Sequence, residues 1–132
     1  DGAVMGKPRD IDHAREILRK LRGRGHEVYC GVALVDMLTG KSRTVVDETR
    51  VYFKNYSDQE LEDYLATSEP LGKAGAYMIL GGARKFVDRV EGSITGVTGL
   101  PLMLVAQLFN EFGIPVKVDV VGTIRRKTGF AS

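Results

Sequence analysis

Apolar residues in this chain either recur at helical spacing or run together in longer stretches, and the two patterns divide the sequence into elements. In RDIDHAREILRKLRGRG (9–25), Ile11, Ala14, Ile17, Leu18 and Leu21 fall on one helical face. Asp10 stands at the N-cap position, and Gly23 or Gly25 where a helix stops. The opposite face carries Arg15, Arg19, Lys20 and Arg22 and reads as solvated. A second helix is expected in SDQELEDYLAT (57–67), where Ser57 and Glu60 have the spacing of a capping box and Leu61, Tyr64 and Leu65 form the stripe. LPLMLVAQLFNEFG (100–113) predicts a third, with Pro101 near its first turn and Gly113 as its stop.

The continuous stretches read as strands. HEVYCGVALVDM (26–37) is valine-rich and nearly unbroken, which predicts a strand buried on both faces. RTVVDETRVYFKN (43–55) is β-branched and aromatic but interrupted by Asp47, Glu48 and Arg50, so it predicts a partly exposed strand, with LTGK (38–41) as the turn between the two. Each would run to about eleven residues, twice the usual strand length, which implies an elongated, twisted sheet. AVMGKP (3–8) predicts a short strand ended by Pro8, RKFVDRVEG (84–92) another, and PVKVDVV (115–121) an edge strand. SEPLGKAGAYMILGGA (68–83) is expected as a glycine-rich loop with at most short regular pieces, SITGVTG (93–99) as a loop, and GTIRRKTGFAS (122–132) as a frayed basic tail. The order predicts a mixed α/β fold, and the long antiparallel pair within it excludes a simple doubly wound parallel sheet.

Composition narrows the picture only a little. The 132 residues fit one domain, and 43% hydrophobic with 27% charged residues is ordinary globular usage, which excludes global disorder. Nineteen basic and seventeen acidic side chains leave a net charge of +2, which alone argues neither for nor against a nucleic-acid partner, because steering depends on how charges cluster. Arg125, Arg126 and Lys127 have no aromatic platform beside them, so nucleic acid is not an expected partner. The single cysteine, Cys30, cannot close an internal disulfide, and in its apolar run it reads as a small buried thiol. No stretch approaches the ~20 apolar residues of a membrane span and no signal peptide is visible, so no membrane partner is expected and the cytoplasm is the expected location. Asp1-Gly2 is a hairpin dipeptide and reads as the second half of a hairpin.

The candidate chemistry centres on two lysines. Lys7 in MGKPRD and Lys73 in EPLGKAGAY each follow a glycine and precede a small residue or proline. Glycine lets the backbone approach a ligand closely, and an ammonium there suits phosphate oxygens. Each lysine taken alone also fits a plain surface turn, and no P-loop spacing is present. The backbone N–H groups of LGGARK (80–85) suit either an anion nest or a strand-entry turn. Glu69 stands beside the Lys73 loop where it could touch a ligand. Asp88 and Glu91 would face opposite sides of a strand, and neither His13 nor His26 belongs to a metal-ligand spacing, so no dedicated zinc site is expected.

Taken together, GKP, LRGRGHEVYCGV, EPLGKAGAY and VEGSITGVTGLPL resemble the Maf family of nucleoside triphosphate pyrophosphatases, over about residues 1 to 110. The resemblance implies an α/β fold like that of inosine triphosphate pyrophosphatases: an elongated molecule with a long, twisted mixed sheet flanked by helices and a deep cleft. It assigns residues 1–121 to the C-terminal portion of a Maf-like domain and 122–132 to a basic tail. It implies hydrolysis of a nucleoside triphosphate to the monophosphate and pyrophosphate with a divalent metal, magnesium or manganese, in a house-cleaning role. Lys7 and Lys73 would face the phosphates, with Glu69 nearby. The family's phosphate loop and the aspartate proposed as its base would lie upstream of Asp1, so no catalytic residue is assigned here and Asp1 is not taken as the base. An incomplete cleft also predicts exposed apolar sheet surface and self-association, and a homodimer is left open. Leu80 occupies the position of a glutamine tied to base recognition, so a pyrimidine preference does not carry over. The alternative expectation is a non-catalytic domain that binds a nucleotide or a partner without turnover.

Overall fold

The computed structural model describes residues 4–130. The expectations placed on Asp1, Gly2, Ala3 and the last two residues lie outside that range. The α/β class is observed. Helix α1 (Ile11–Leu21) begins at Asp10, whose carboxylate accepts from the His13 N–H at 2.8 Å, and it buries Ala14, Ile17, Leu18 and Leu21. Strands β1 (Gly25–Val35) and β2 (Ser42–Phe53) follow. The Phe53 N–H donates to the Arg24 carbonyl at 2.9 Å and the Asp36 N–H to the Lys41 carbonyl at 2.7 Å, which fixes an antiparallel register. The Asp36 carboxylate closes the turn by accepting from the Leu38 N–H at 2.9 Å. Helix α2 (Asp58–Leu65) carries both halves of the expected capping box. Strand β3 (Val87–Glu91) lies on the other side of β2 and is also antiparallel, with the Lys54 N–H donating to the Phe86 carbonyl at 2.7 Å. Helices α3 (Ile94–Thr98), α4 (Leu102–Glu111) and α5 (Val120–Thr128) complete the described chain.

The chain divides into two compact units, residues 1–26 with 51–89 and residues 27–50 with 90–132. The first is built on aromatic side chains. Phe86 is stacked on Tyr56 at 4.2 Å between centroids and meets the rings of Tyr64 and Phe53 edge-on, and Phe53 in turn meets Tyr77. The Tyr56 hydroxyl reaches the last turn of α1 and donates to the Leu18 carbonyl. The second unit buries Ile94, Leu108 and Ile124 and, beside them, a polar chain. Thr49, fully buried, accepts from the Ser93 N–H at 2.9 Å, Ser93 Oγ lies 3.0 Å from Thr95 Oγ1, and Thr95 accepts from the Leu102 N–H at 2.8 Å. These bonds tie β2 to α3 and to the start of α4.

Several expectations are corrected. Residues 4–8 form no strand. β1 is not buried on both faces: its residues alternate between exposed and half-buried, and Tyr29 is 61% exposed. Cys30 is accordingly half-buried, with its thiol donating to the Gly99 carbonyl at 3.2 Å. Residues 93–99 are not loop, because Ser93 Oγ accepts from the Gly96 N–H and starts α3. Residues 115–121 make no edge strand and the basic segment is not frayed. Asp119 caps α5 through the Gly122 N–H at 3.0 Å, and Ile124 is buried. The basic face of α1 is only partly solvated. Arg15 reaches Glu62 of α2 through Nε at 2.5 Å and Nη2 at 3.0 Å, and Arg22 meets Asp58 at 2.7 Å. These contacts hold the Glu62 and Asp58 carboxyls below their ordinary range, each chiefly through the hydrogen bond from its arginine.

Candidate functional site

Both candidate lysines lie in the first unit, on loops whose neighbouring residues are anchored. Lys7 is exposed, and Pro8 beside it is buried. Lys73 is half-buried at the start of a 3-10 turn over Ala74–Ala76, and behind it Ala76, Tyr77 and Ile79 are buried. The Gly75 N–H donates to the Gly6 carbonyl at 3.0 Å. That bond joins the two loops at positions next to Lys7 and two residues from Lys73, so the structure brings together the two segments singled out for phosphate.

The turn after Lys73 is conformationally unusual. Gly75 has φ +73° and Ala76 has φ +64°. Glycine adopts such a conformation freely, but an alanine there costs about 1–2 kcal/mol. The strain is held by fixed contacts further along. The Met78 N–H donates to Tyr64 Oη at 3.0 Å, and Tyr77 Oη lies 2.7 Å from His26 Nε2. Burial pushes the phenols of Tyr64 and Tyr77 well above the usual tyrosine range, and Glu69 adds to the shift at Tyr64.

Glu69 is turned into the protein. Its carboxylate accepts from the Gly82 N–H at 3.0 Å, in the turn that leads into β3. A Cβ at Gly81 would lie 2.3 Å from Glu69 Oε1, so any larger residue there would push the carboxylate away from the Gly82 N–H. Of the two readings of residues 80–85, the strand-entry turn is observed, and the anion that its backbone receives is the protein's own. Leu80 is 40% exposed and presents an apolar side chain. The contacts that His26, Tyr64 and Tyr77 make around the Lys73 turn were not expected from the sequence. Tyr77 carried a usable signal, as the one aromatic in a run of glycine and alanine.

The family described as Maf-like protein matches residues 2–112. The chain belongs to the Maf family. A dTTP/UTP pyrophosphatase of Pelotomaculum thermopropionicum is 44% identical over 116 residues, covering 88% of this chain and 61% of that protein. One from Nitrosomonas europaea is 45% identical, covering 88% of this chain and 55% of the relative. One from Chromobacterium violaceum is 49% identical over 113 residues, covering 86% and 56%. The chain therefore spans little more than half the length of these Maf relatives.

Among the described residues, no group of three or more His, Cys, Asp and Glu side chains is placed to hold a metal ion. Glu69, the carboxylate nearest the Lys73 loop in sequence, is engaged by Gly82. The described Maf residues by themselves do not fit a resident divalent metal, and no chemical step is derived through one. No helix among them is long and apolar enough to cross a membrane.

Proposed function

We propose that this chain carries the phosphate-facing part of a nucleoside triphosphate pyrophosphatase, which cleaves a nucleoside triphosphate to the monophosphate and pyrophosphate. The observation that supports it best is the Gly75–Gly6 bond, which gathers the Lys7 and Lys73 loops in a Maf chain whose relatives are named for this activity. Two ammonium groups on anchored loops stabilise the negative charge that shifts onto phosphate oxygens as the bond to the leaving pyrophosphate breaks. The small exposed residues on either side of Lys73, Gly72 and Ala74, leave room for a bulky anion beside its ammonium.

dTTP and UTP are the first substrates to try, because the relatives carry those names. Leu80 offers a base edge neither a donor nor an acceptor, and one missing hydrogen bond is worth about 1–3 kcal/mol of selectivity. Discrimination among bases is accordingly proposed to be weak. The proposed setting is the cytoplasm, where free nucleotides are the substrate pool, with magnesium or manganese supplied in the assay.

A second reading, binding without turnover, is favoured by one observation: the described residues offer cations for phosphate but no group of three or more His, Cys, Asp and Glu side chains placed to hold a metal ion. The two readings separate by measuring pyrophosphate release across canonical and modified nucleoside triphosphates, alongside equilibrium binding of the same nucleotides. Release that disappears in Lys73→Ala supports the enzyme. Binding without release, also lost in Lys73→Ala, supports the binding domain. Neither binding nor release would sink both.

A further inference from the structure

The Lys73 turn is held by a neutral pair outside it. His26 stands at the start of β1, with its ring edge-on to Phe53 at 5.0 Å and to Tyr77 at 5.5 Å. Its Nε2 is hydrogen-bonded to Tyr77 Oη at 2.7 Å, whereas its Nδ1 is buried and has no partner among the described residues. A core histidine with no task beyond packing would be replaceable by an apolar residue without leaving a polar atom stranded. Here the cost of one unpartnered ring nitrogen is tolerated, and what it secures is the hydroxyl of Tyr77.

Tyr77 in turn bears on the turn itself. A Cβ at Gly75 would meet the Tyr77 ring at 3.2 Å, so the ring lies against the backbone of the residue whose N–H reaches Gly6. The left-handed Ala76 lies between them. A strained residue persists only where its surroundings over-determine it, and such residues gather at ligand sites.

We propose that the His26–Tyr77 hydrogen bond is the positioning device for Lys73: it fixes the Tyr77 ring, which holds Gly75 against Gly6 and so sets the lysine where phosphate is received. His26 and Tyr77 are positioning residues that act through the turn. The inference rests on the phosphate-binding reading above. The pair works with an uncharged imidazole. Protonation would bury a cation with a second N–H unsatisfied among the rings of Phe53 and Tyr77. Burial is the cause that lowers the imidazole pKa to about 4, and no charged group is among the causes.

The test uses the 132-residue chain and inorganic tripolyphosphate as probe, with binding followed by calorimetry at pH 7. Tyr77→Phe keeps the ring and removes the hydroxyl. It is expected to weaken binding about tenfold, the usual effect of losing one hydrogen bond. The same loss is expected in His26→Phe, with substantial recovery in His26→Gln, which can still bond the phenol. Lys73→Ala combined with Tyr77→Phe should lose little more than Lys73→Ala alone, because the hydroxyl acts through the lysine. Amide exchange at Gly75 should quicken in Tyr77→Phe while exchange in α1 stays unchanged. Fully additive losses in the double variant, or unaltered Gly75 exchange, overturn the positioning role while leaving phosphate binding intact. Failure of the unsubstituted chain to bind tripolyphosphate overturns the phosphate reading and this inference with it.

Discussion

The two compact units solve the same problem with different materials. Residues 1–26 and 51–89 bury rings: Tyr77 meets Phe53, Phe53 meets Tyr56, Tyr56 meets Phe86 and Phe86 meets Tyr64, and the tyrosine hydroxyls reach backbone or His26. Among the described residues of 27–50 and 90–132, no such cluster is found in the buried side chains. They bury Thr49, Ser93 and Thr95, joined hydroxyl to backbone, and leave apolar side chains such as Val46 and Val118 well exposed. Ring packing is a large, weakly directional contribution, whereas a hydroxyl chain is a smaller one that demands particular geometry. The unit with rings is also the one that holds a strained turn and both candidate lysines. A well-filled core can support a left-handed alanine, because the strain is small beside the burial around it.

That contrast can be broken by substitution. Phe86→Ala empties the centre of the aromatic cluster and should cost about 3–5 kcal/mol in urea unfolding. A loss below that of any hydroxyl deletion in the second unit would show that the rings are not the main support. The second test is acid. Since the His26 pKa lies near 4 when folded and at the ordinary 6.5 when unfolded, the unfolded chain binds a proton between those values that the folded chain refuses. Stability from this group is therefore complete above pH 6.5 and falls as the pH drops toward 4, by about 3 kcal/mol in all. His26→Phe should flatten this part of the curve, measured as urea midpoints at pH 7 and 4.5; an unchanged slope would place the acid sensitivity elsewhere.

On the polar side, Thr49→Val is nearly isosteric but strands the Ser93 N–H. It should cost about 1–3 kcal/mol, with Thr49→Ser recovering much of that. Equal stability of the valine and threonine proteins would remove the polar chain from the contrast. The smallest expected effect is Ser57→Ala, which deletes the cap of α2 and should cost about 1 kcal/mol by thermal unfolding.

Much of this was legible because local rules and tertiary packing agreed. The stripe of α1, the capping box at Ser57 and the Gly113 stop were each read at the right residue, since caps and helical periodicity are local signals. β1 was misread as doubly buried, although its sequence held the answer. Val28, Cys30, Val32 and Leu34 alternate with Glu27, Tyr29, Gly31 and Ala33, a period-two pattern masked by small apolar residues on the open face. α5 is hidden because Asp119 lies inside the β-branched run 115–121 and reads as part of a strand, whereas its carboxylate caps the helix through the Gly122 N–H. At the site, the lysines were visible through their glycine neighbours. The commitment of Glu69 to Gly82 was not, because sequence shows that a carboxylate is near a loop but not which way it turns. The His26–Tyr77 pair was equally hidden, its members being far apart in the chain.

The Gly75–Gly6 bond has a consequence for the order of assembly. It closes a loop of some seventy residues, and long closures of this kind come late, after local helices and hairpins have formed. The chain should therefore regain helical signal before it regains affinity for polyphosphate. Under the proposed phosphate reading, the lysine site would then report completed folding, and a nascent or partly folded chain would not sequester nucleotide.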